Sequence, residues 1–149
     1  MSTAVILDFG PGRFRFHLPM KRILEVEREC GNKSILAMYS ELSEAIGLTR
    51  DTEEPVLVPQ GTARILDVYH VIRCAAFGGG ERQDGEKTVP VSAIDAKQLV
   101  DEYVDGRPYA ESFPTAWAIL RATIEGVSLK KKPEPEPVTD PKPLTVEQS

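Results

Sequence analysis

The chain has little of what reactive chemistry draws on. Among its 149 residues are two cysteines, two histidines and one tryptophan. Cys30 and Cys74 stand 44 positions apart with no CxxC pair, so no disulfide framework is spelled out and a reduced interior is expected. No run of about 18 apolar residues offers a membrane-spanning helix, and the first residues lack a basic segment leading into an apolar stretch and a small-residue cleavage site. The expectation is a protein of the cytosol. Basic excess is missing as well: 18 Lys and Arg face 23 Asp and Glu, a formal charge of −5 with pI near 5.1. A binder of the phosphate backbone concentrates Lys and Arg on one face, and this chain does not. Neither nucleic acid nor membrane is expected as a partner.

The stretch C-A-A-F-G-G-G-E-R-Q-D-G-E, Cys74 to Glu86, has the glycines of a phosphate loop in the wrong order. A phosphate cradle puts glycines ahead of a helix, where free N–H groups and the positive dipole end face the anion, with Lys-Ser or Lys-Thr behind them. Here Gly78-Gly79-Gly80 follow a helical pattern, at its negative end, and no such pair comes after. They are expected to stop the helix and form a joint. His70 and Cys74, four residues apart on one helix face, would with Cys30 and His17 supply four zinc ligands, but only one pair is local and packing accounts for both cysteines. No Ser occupies a G-x-S-x-G turn, and pairs such as Glu53-Glu54 and Asp101-Glu102 fall on solvated faces. No catalytic, metal-binding or cofactor-binding set is assigned, and the chain is not expected to be an enzyme.

What the sequence does contain is a series of short elements. A-V-I-L-D-F-G-P-G-R-F-R-F-H-L alternates about Gly10-Pro11-Gly12 and predicts a hairpin over residues 4–18, with Phe9 opposite Phe14, Leu7 opposite Phe16 and Val5 opposite Leu18. Because a Pro-Gly type II turn would splay the strands, a bulge or four-residue loop is expected. Five helices follow. Pro19 opens the first, which carries Ile23, Val26 and Cys30 and stops at Gly31. Ser34 caps the second, striped by Ile35, Met38, Tyr39, Leu42 and Ile46 up to Gly47. The third runs from about Thr62 to Phe77, with Ile65, Tyr69, Ile72 and Ala76 inward and Arg64 and Asp67 turned away.

Ser92 and Asp95 make a capping box for the fourth helix, whose stripe is Ala96, Leu99, Val100, Tyr103 and Val104. Pro108 permits the fifth, with Phe113, Trp117, Leu120 and Ile124 inward as core and a bend near Pro114. Val56-Leu57-Val58 is placed as an edge strand on the hairpin, and residues 81–91 as a polar loop. The fold class expected is α+β, mostly α: a β-hairpin (4–18) and a helical part (19–126) in a single globular domain of residues 1–129. Residues 130–149 hold five prolines and balance four lysines with four acids, so a disordered Pro-rich C-terminal tail is expected and the charge of −5 belongs to residues 1–129.

Within residues 66–126 the run V-I-R-C-A-A-F-G-G-G and the later A-K-Q-L-V-D-E-Y-V-D-G-R-P-Y-A-E-S-F-P-T-A-W-A-I-L-R-A-T-I-E-G-V resemble a family of small tail proteins. These are encoded in the structural gene clusters of gene transfer agents and tailed phages, between the major tail protein and the tape measure. Some members carry the label tail tube protein, others tail assembly chaperone. The likeness rests on Gly78-Gly79-Gly80, Leu99-Val100, Tyr103-Val104-Asp105, Arg107-Pro108 and Ala118-Ile119-Leu120 with Gly126, and extends more loosely over residues 4–126. The chain departs from the family pattern in a longer connector at 50–60 and an enlarged loop at 81–91.

The resemblance implies a tail assembly chaperone that binds the tape measure protein in the cytoplasm of the bacterial host. The rival it implies is a structural tail component retained in the virion tail. The major tail protein and a second copy of the chain are further partners it leaves open. Phe77, Tyr109 and Phe113, which flank helix ends beside glycine joints, are the residues expected to anchor the partner; closure of the core is the competing role for all three. Lys130-Lys131-Lys132 admit two readings: cations behind a helix C-terminus, or the product of a slippery codon run that yields a longer fused form. A helix-turn-helix regulator is disfavoured, since residues 92–106 set Asp95, Asp101, Glu102 and Asp105 against Lys97.

Overall fold

The computed structural model describes residues 1–48 and 54–127; the expected tail at 130–149, with its lysine run, lies outside the described residues. Along the chain the elements are β1 (Val5–Phe9), β2 (Gly12–Phe16), α1 (Met20–Glu29), α2 (Ile35–Glu44), β3 (Ile46–Leu48), β4 (Pro55–Leu57), α3 (Ile65–Gly79), β5 (Glu81–Asp84), β6 (Lys87–Pro90), α4 (Ala93–Tyr103) and α5 (Tyr109–Glu125). The class is α+β and mostly α, with the N-terminal hairpin and five helices that the periodicity predicts.

The hairpin register differs from expectation by two residues. Val5 pairs with Phe16, Leu7 with Phe14 and Phe9 with Gly12, which leaves Gly10 and Pro11 as the whole turn. Gly10 has φ +56 and proline holds the next φ negative, the sign pattern of a II′ turn, which follows strand twist instead of opposing it. Splaying would have required Pro11-Gly12 as the central pair. A shift of two preserves the faces, so Phe14 and Phe16 still enter the core while Arg13 and Arg15 face away from it. Fully burying Phe16 contributes about 2–3 kcal/mol.

Residues 81–91 are not a loop. β5 and β6 form a second antiparallel hairpin, closed at Gly85 with φ +67, and β5 pairs with β2 to give a four-stranded sheet of order β1-β2-β5-β6. The segment carries almost no apolar residue because its stability comes from pairing: Arg15 lies opposite Glu81, a favourable cross-strand charge pair. Val56-Leu57 also finds a different partner from the one expected. β4 pairs with β3, with Ile46 opposite Leu57, in a separate two-stranded ladder that packs on α5. The end of the α2 stripe, Ile46, is thus strand.

The helix termini follow local rules. Ser34 Oγ accepts from the backbone N–H groups of Leu36 and Ala37, and Ser92 with Asp95 forms the reciprocal capping box. Pro114 is the sixth residue of α5, past the first turn, so its missing N–H leaves the Ala110 carbonyl without its intrahelical donor.

The central element is α3, packed between α1, α4, α5 and strand β2. Val68, Val71, Ile72, Cys74, Ala75 and Ala76 are all fully buried on it. Two of the three expected stop glycines are helical. Only Gly80, at φ +76, ends α3. Gly78 and Gly79 lie where the helix crosses the backbone of β2 and the residue after it, at a separation that admits no side chain: an added Cβ would stand 2.2 Å from the His17 carbonyl oxygen and 1.7 Å from that of Arg15. Asp67 is likewise not turned to solvent. It is 2% exposed and accepts from Lys33 Nζ at 2.9 Å and Arg64 Nη2 at 3.0 Å, tying the α1–α2 turn to α3.

Candidate functional site: the groove over α3

α1 and α4 flank α3, each antiparallel to it. On one side Arg73 Nη1 pairs with Glu25 Oε2 at 3.3 Å, and Cys30 at the end of α1 approaches the Leu66 carbonyl near the start of α3. On the other, Tyr69 Oη donates to Asp101 Oδ1 at 2.8 Å, and Val104 and Asp105 stand beside Ile65 and Leu66. The two helices do not close over α3. A recess of about 410 Å³ is lined by Ile65, Leu66, Tyr69, His70, Val104, Asp105 and Tyr109. Sharing Tyr69 and His70, a second recess of about 720 Å³ continues between α1 and α4 past Glu25, Glu29, Arg73, Ile94, Lys97 and Asp101.

The first recess is apolar and its apolar groups reach water. Ile65 is 46% exposed and Leu66 45%, and Ile94, on the wall of the second recess, is 70% exposed. Ile65 was expected inside, but the gap between α1 and α4 leaves it open to water. Leu66 and Ile94 fall on no predicted stripe, and apolar residues surplus to a helix's core face were the available signal for this groove.

His70 sits at the junction. Its Nδ1 accepts from Arg73 Nη2 at 3.1 Å, which places the proton of the neutral ring on Nε2. Burial pushes its pKa below the ordinary value, Arg73 adds to this, and Glu29, Glu25 and Asp67 oppose. Burial, joined by the hydrogen bond to Asp101, raises the Tyr69 hydroxyl. Lys97 Nζ binds Asp101 Oδ2 at 2.7 Å, so both cations of the groove already hold a carboxylate.

The three expected anchors separate. Tyr109 lines the apolar recess and packs edge-on against Phe113 with ring centroids 6.2 Å apart. Phe113 itself is 7% exposed and belongs to the core, as its competing role required, and could meet a partner only if α5 moved. Phe77 is 37% exposed under the Arg22 guanidinium, 5.0 Å from its ring centroid. It lies at the far end of α3, roughly 18 Å from Ile65 at about 1.5 Å per residue. Trp117 is half-buried against the core, its indole N–H donating to Ser43 Oγ at 3.2 Å.

The four zinc candidates are also apart in their bonding. His17 Nε2 meets Thr3 Oγ1 at 3.1 Å, His70 is held by Arg73, and Cys30 and Cys74 are buried thiols. Burial drives both thiol pKa values up to about 12, so neither is a ready thiolate. Among the described residues no three His, Cys, Asp or Glu converge to hold a metal ion, and no helix is long and apolar enough to cross a membrane. What the groove can do is bury another chain's side chains against Leu66, Tyr69 and Tyr109. No family model matches the chain, and no curated protein or solved structure matches it either.

Proposed function

We propose that this protein is a tail assembly chaperone of a phage or gene transfer agent, acting in the host cytoplasm, which holds apolar stretches of the tape measure protein until the tail tube forms around them. The reading is supported by the resemblance at residues 66–126. The observation that carries it physically is the open groove over α3, where Ile65 and Leu66 are about half exposed beside Tyr109. A tape measure chain is long and helical, and its unshielded apolar stripes invite aggregation. A groove of this shape meets a helix by burying its apolar side chains, and the carboxylates of Glu25, Glu29, Asp101 and Asp105 keep the filled complex hydrated.

The rival is a tail component built into the particle, for which the four-stranded sheet, with β6 at one edge, provides an assembly surface. Mass spectrometry of purified particles separates the two. The chaperone reading expects the protein to co-purify with the tape measure protein from lysates and to be absent from finished particles; recovery in particles at stoichiometric levels would establish the rival.

A further inference from the structure

We infer that the groove selects helices whose apolar stripe is flanked by Lys or Arg, so that its occupant is a basic amphipathic helix. This rests on the chaperone reading and adds to it a rule for which segments are bound.

The argument is one of leftover charge. Four carboxylates and two cations line the two recesses. Arg73 is held by Glu25 at 3.3 Å, and Lys97 by Asp101 at 2.7 Å. Glu25 is also taken by Arg22 at 2.5 Å, and Asp101 by Tyr69 at 2.8 Å. His70 has a depressed pKa and already accepts from Arg73, so it adds no cation near neutral pH. Glu29 and Asp105 remain. Both are exposed, and neither side chain makes a hydrogen bond or ion pair with any described residue.

Their placement matters as much as their number. Glu29 is the last residue of α1 and Asp105 lies just past α4, so each stands at a helix C-terminus, where the dipole is already negative. Two carboxylates without a side-chain partner therefore border the floor made by Leu66 and Tyr69; Arg64 Nη2 answers the α1 end by donating to the Cys30 carbonyl at 2.9 Å, whereas α4 has no basic residue in its last turn. An acidic helix entering there would meet like charge, with no cation free among the residues that line the two recesses. A basic one would satisfy both carboxylates while its apolar side chains cover Ile65 and Leu66. From Ile65 to Arg73 the floor runs roughly 12 Å at about 1.5 Å per residue, the length of two turns of such a helix.

The test uses the full chain, labelled with nitrogen-15, and two synthetic helical peptides that share one leucine stripe, the first with Lys and the second with Glu at all flanking positions. The Lys peptide is expected to shift the amide signals of Leu66, Tyr69, His70 and Asp105, and to bind at least tenfold more tightly than the Glu peptide. Glu29→Gln combined with Asp105→Asn, both on exposed side chains, is expected to bring the two peptides within about threefold of each other. Leu66→Asn should weaken the Lys peptide about tenfold while the variant remains folded at the temperature of the titration, as its amide spectrum checks. Equal binding of the two peptides, or signals that move only outside the groove, would overturn the inference. Failure here is distinct from failure of the chaperone reading: a tape measure protein kept soluble while the Lys peptide ignores the groove removes only the selection rule, and the reverse outcome removes only the chaperone role.

Discussion

Gly79 of α3 lies directly on the carbonyl of Arg15 in β2, so close that a methyl group at its Cα would stand 1.7 Å from that oxygen. The contact welds the end of the central helix to an inner strand of the sheet. Around it, the His17 N–H donates to the Ala75 carbonyl at 3.0 Å and Arg15 Nη1 to the Gly79 carbonyl at 3.0 Å. The pairing of β5 with β2 follows directly, since Gly80 turns the chain from α3 into β5 beside the strand just crossed.

This closeness reverses the usual sign of a helical glycine substitution. Helix propensity alone has Gly79→Ala stabilising by about 1 kcal/mol. Overlap with backbone that cannot retreat instead destabilises the fold by about 3 kcal/mol or more. Gly80→Ala, whose added Cβ would meet the Phe77 carbonyl oxygen at an ordinary 3.8 Å but whose φ is +76, is expected to cost only about 1 kcal/mol. Urea unfolding of both variants checks the order, and a stable Gly79→Ala protein would contradict the crossing.

Asp67 is the most deeply buried charge, and its two cations are partly open to water, Lys33 on the α1–α2 turn and Arg64 at the start of α3. Asp67→Asn keeps the shape but leaves Arg64 without a countercharge and Lys33 with Glu41 alone, at 2.7 Å, and is expected to cost about 2 kcal/mol. Arg64→Ala, which removes a half-exposed partner, is expected to cost less than about 1 kcal/mol. Chemical denaturation of the two variants measures the difference; equal losses would mean that Asp67 is not held by this pair of cations.

His70 makes the groove's stability respond to acid. Its folded pKa is depressed chiefly by burial, so between the folded value and the unfolded 6.5 the unfolded chain binds the extra proton. The stability held by neutral His70 is therefore present above pH 6.5 and is lost as pH falls through the folded pKa. His17, depressed by burial and then by Arg15, acts with the same sign, so the comparison needed is between the wild type and His70→Asn. The pH dependence of stability is expected to be shallower in the variant below pH 6.5, and the wild-type His70 resonance to titrate with a midpoint below 6.5. A midpoint at or above that value would contradict the burial argument.

Where local chemistry decides, the elements were legible. The Ser34 cap, the Ser92–Asp95 box and the stripe of α4 are consequences of spacing, and they stand as read. The misses share one cause: they were settled by partners distant in sequence. β5 and β6 look like a polar loop because their ladder on β2 is invisible along the chain, although Asp84-Gly85 is a hairpin signal in its own right. Asp67 reads as solvent-facing until Lys33, 34 residues away, comes to it. The groove was the least legible feature. Ile65 has the spacing of a core residue, and only the gap between α1 and α4 leaves it in water. Position beside a glycine joint picks Tyr109 and Phe113 alike, and only the packing of α5 sets Tyr109 at that gap and turns Phe113 inward.

The central claim is that the open floor of α3 shelters the tape measure protein. The most direct measurement is the soluble fraction of the tape measure protein from the same gene cluster when it is expressed alone, with the wild-type chain, and with Leu66→Asn, a change on a half-exposed side chain whose folding is checked by its circular dichroism spectrum. The prediction is a soluble tape measure protein with the wild type and a several-fold smaller soluble fraction with the variant at equal expression. A tape measure protein that precipitates equally in all three cultures would contradict it.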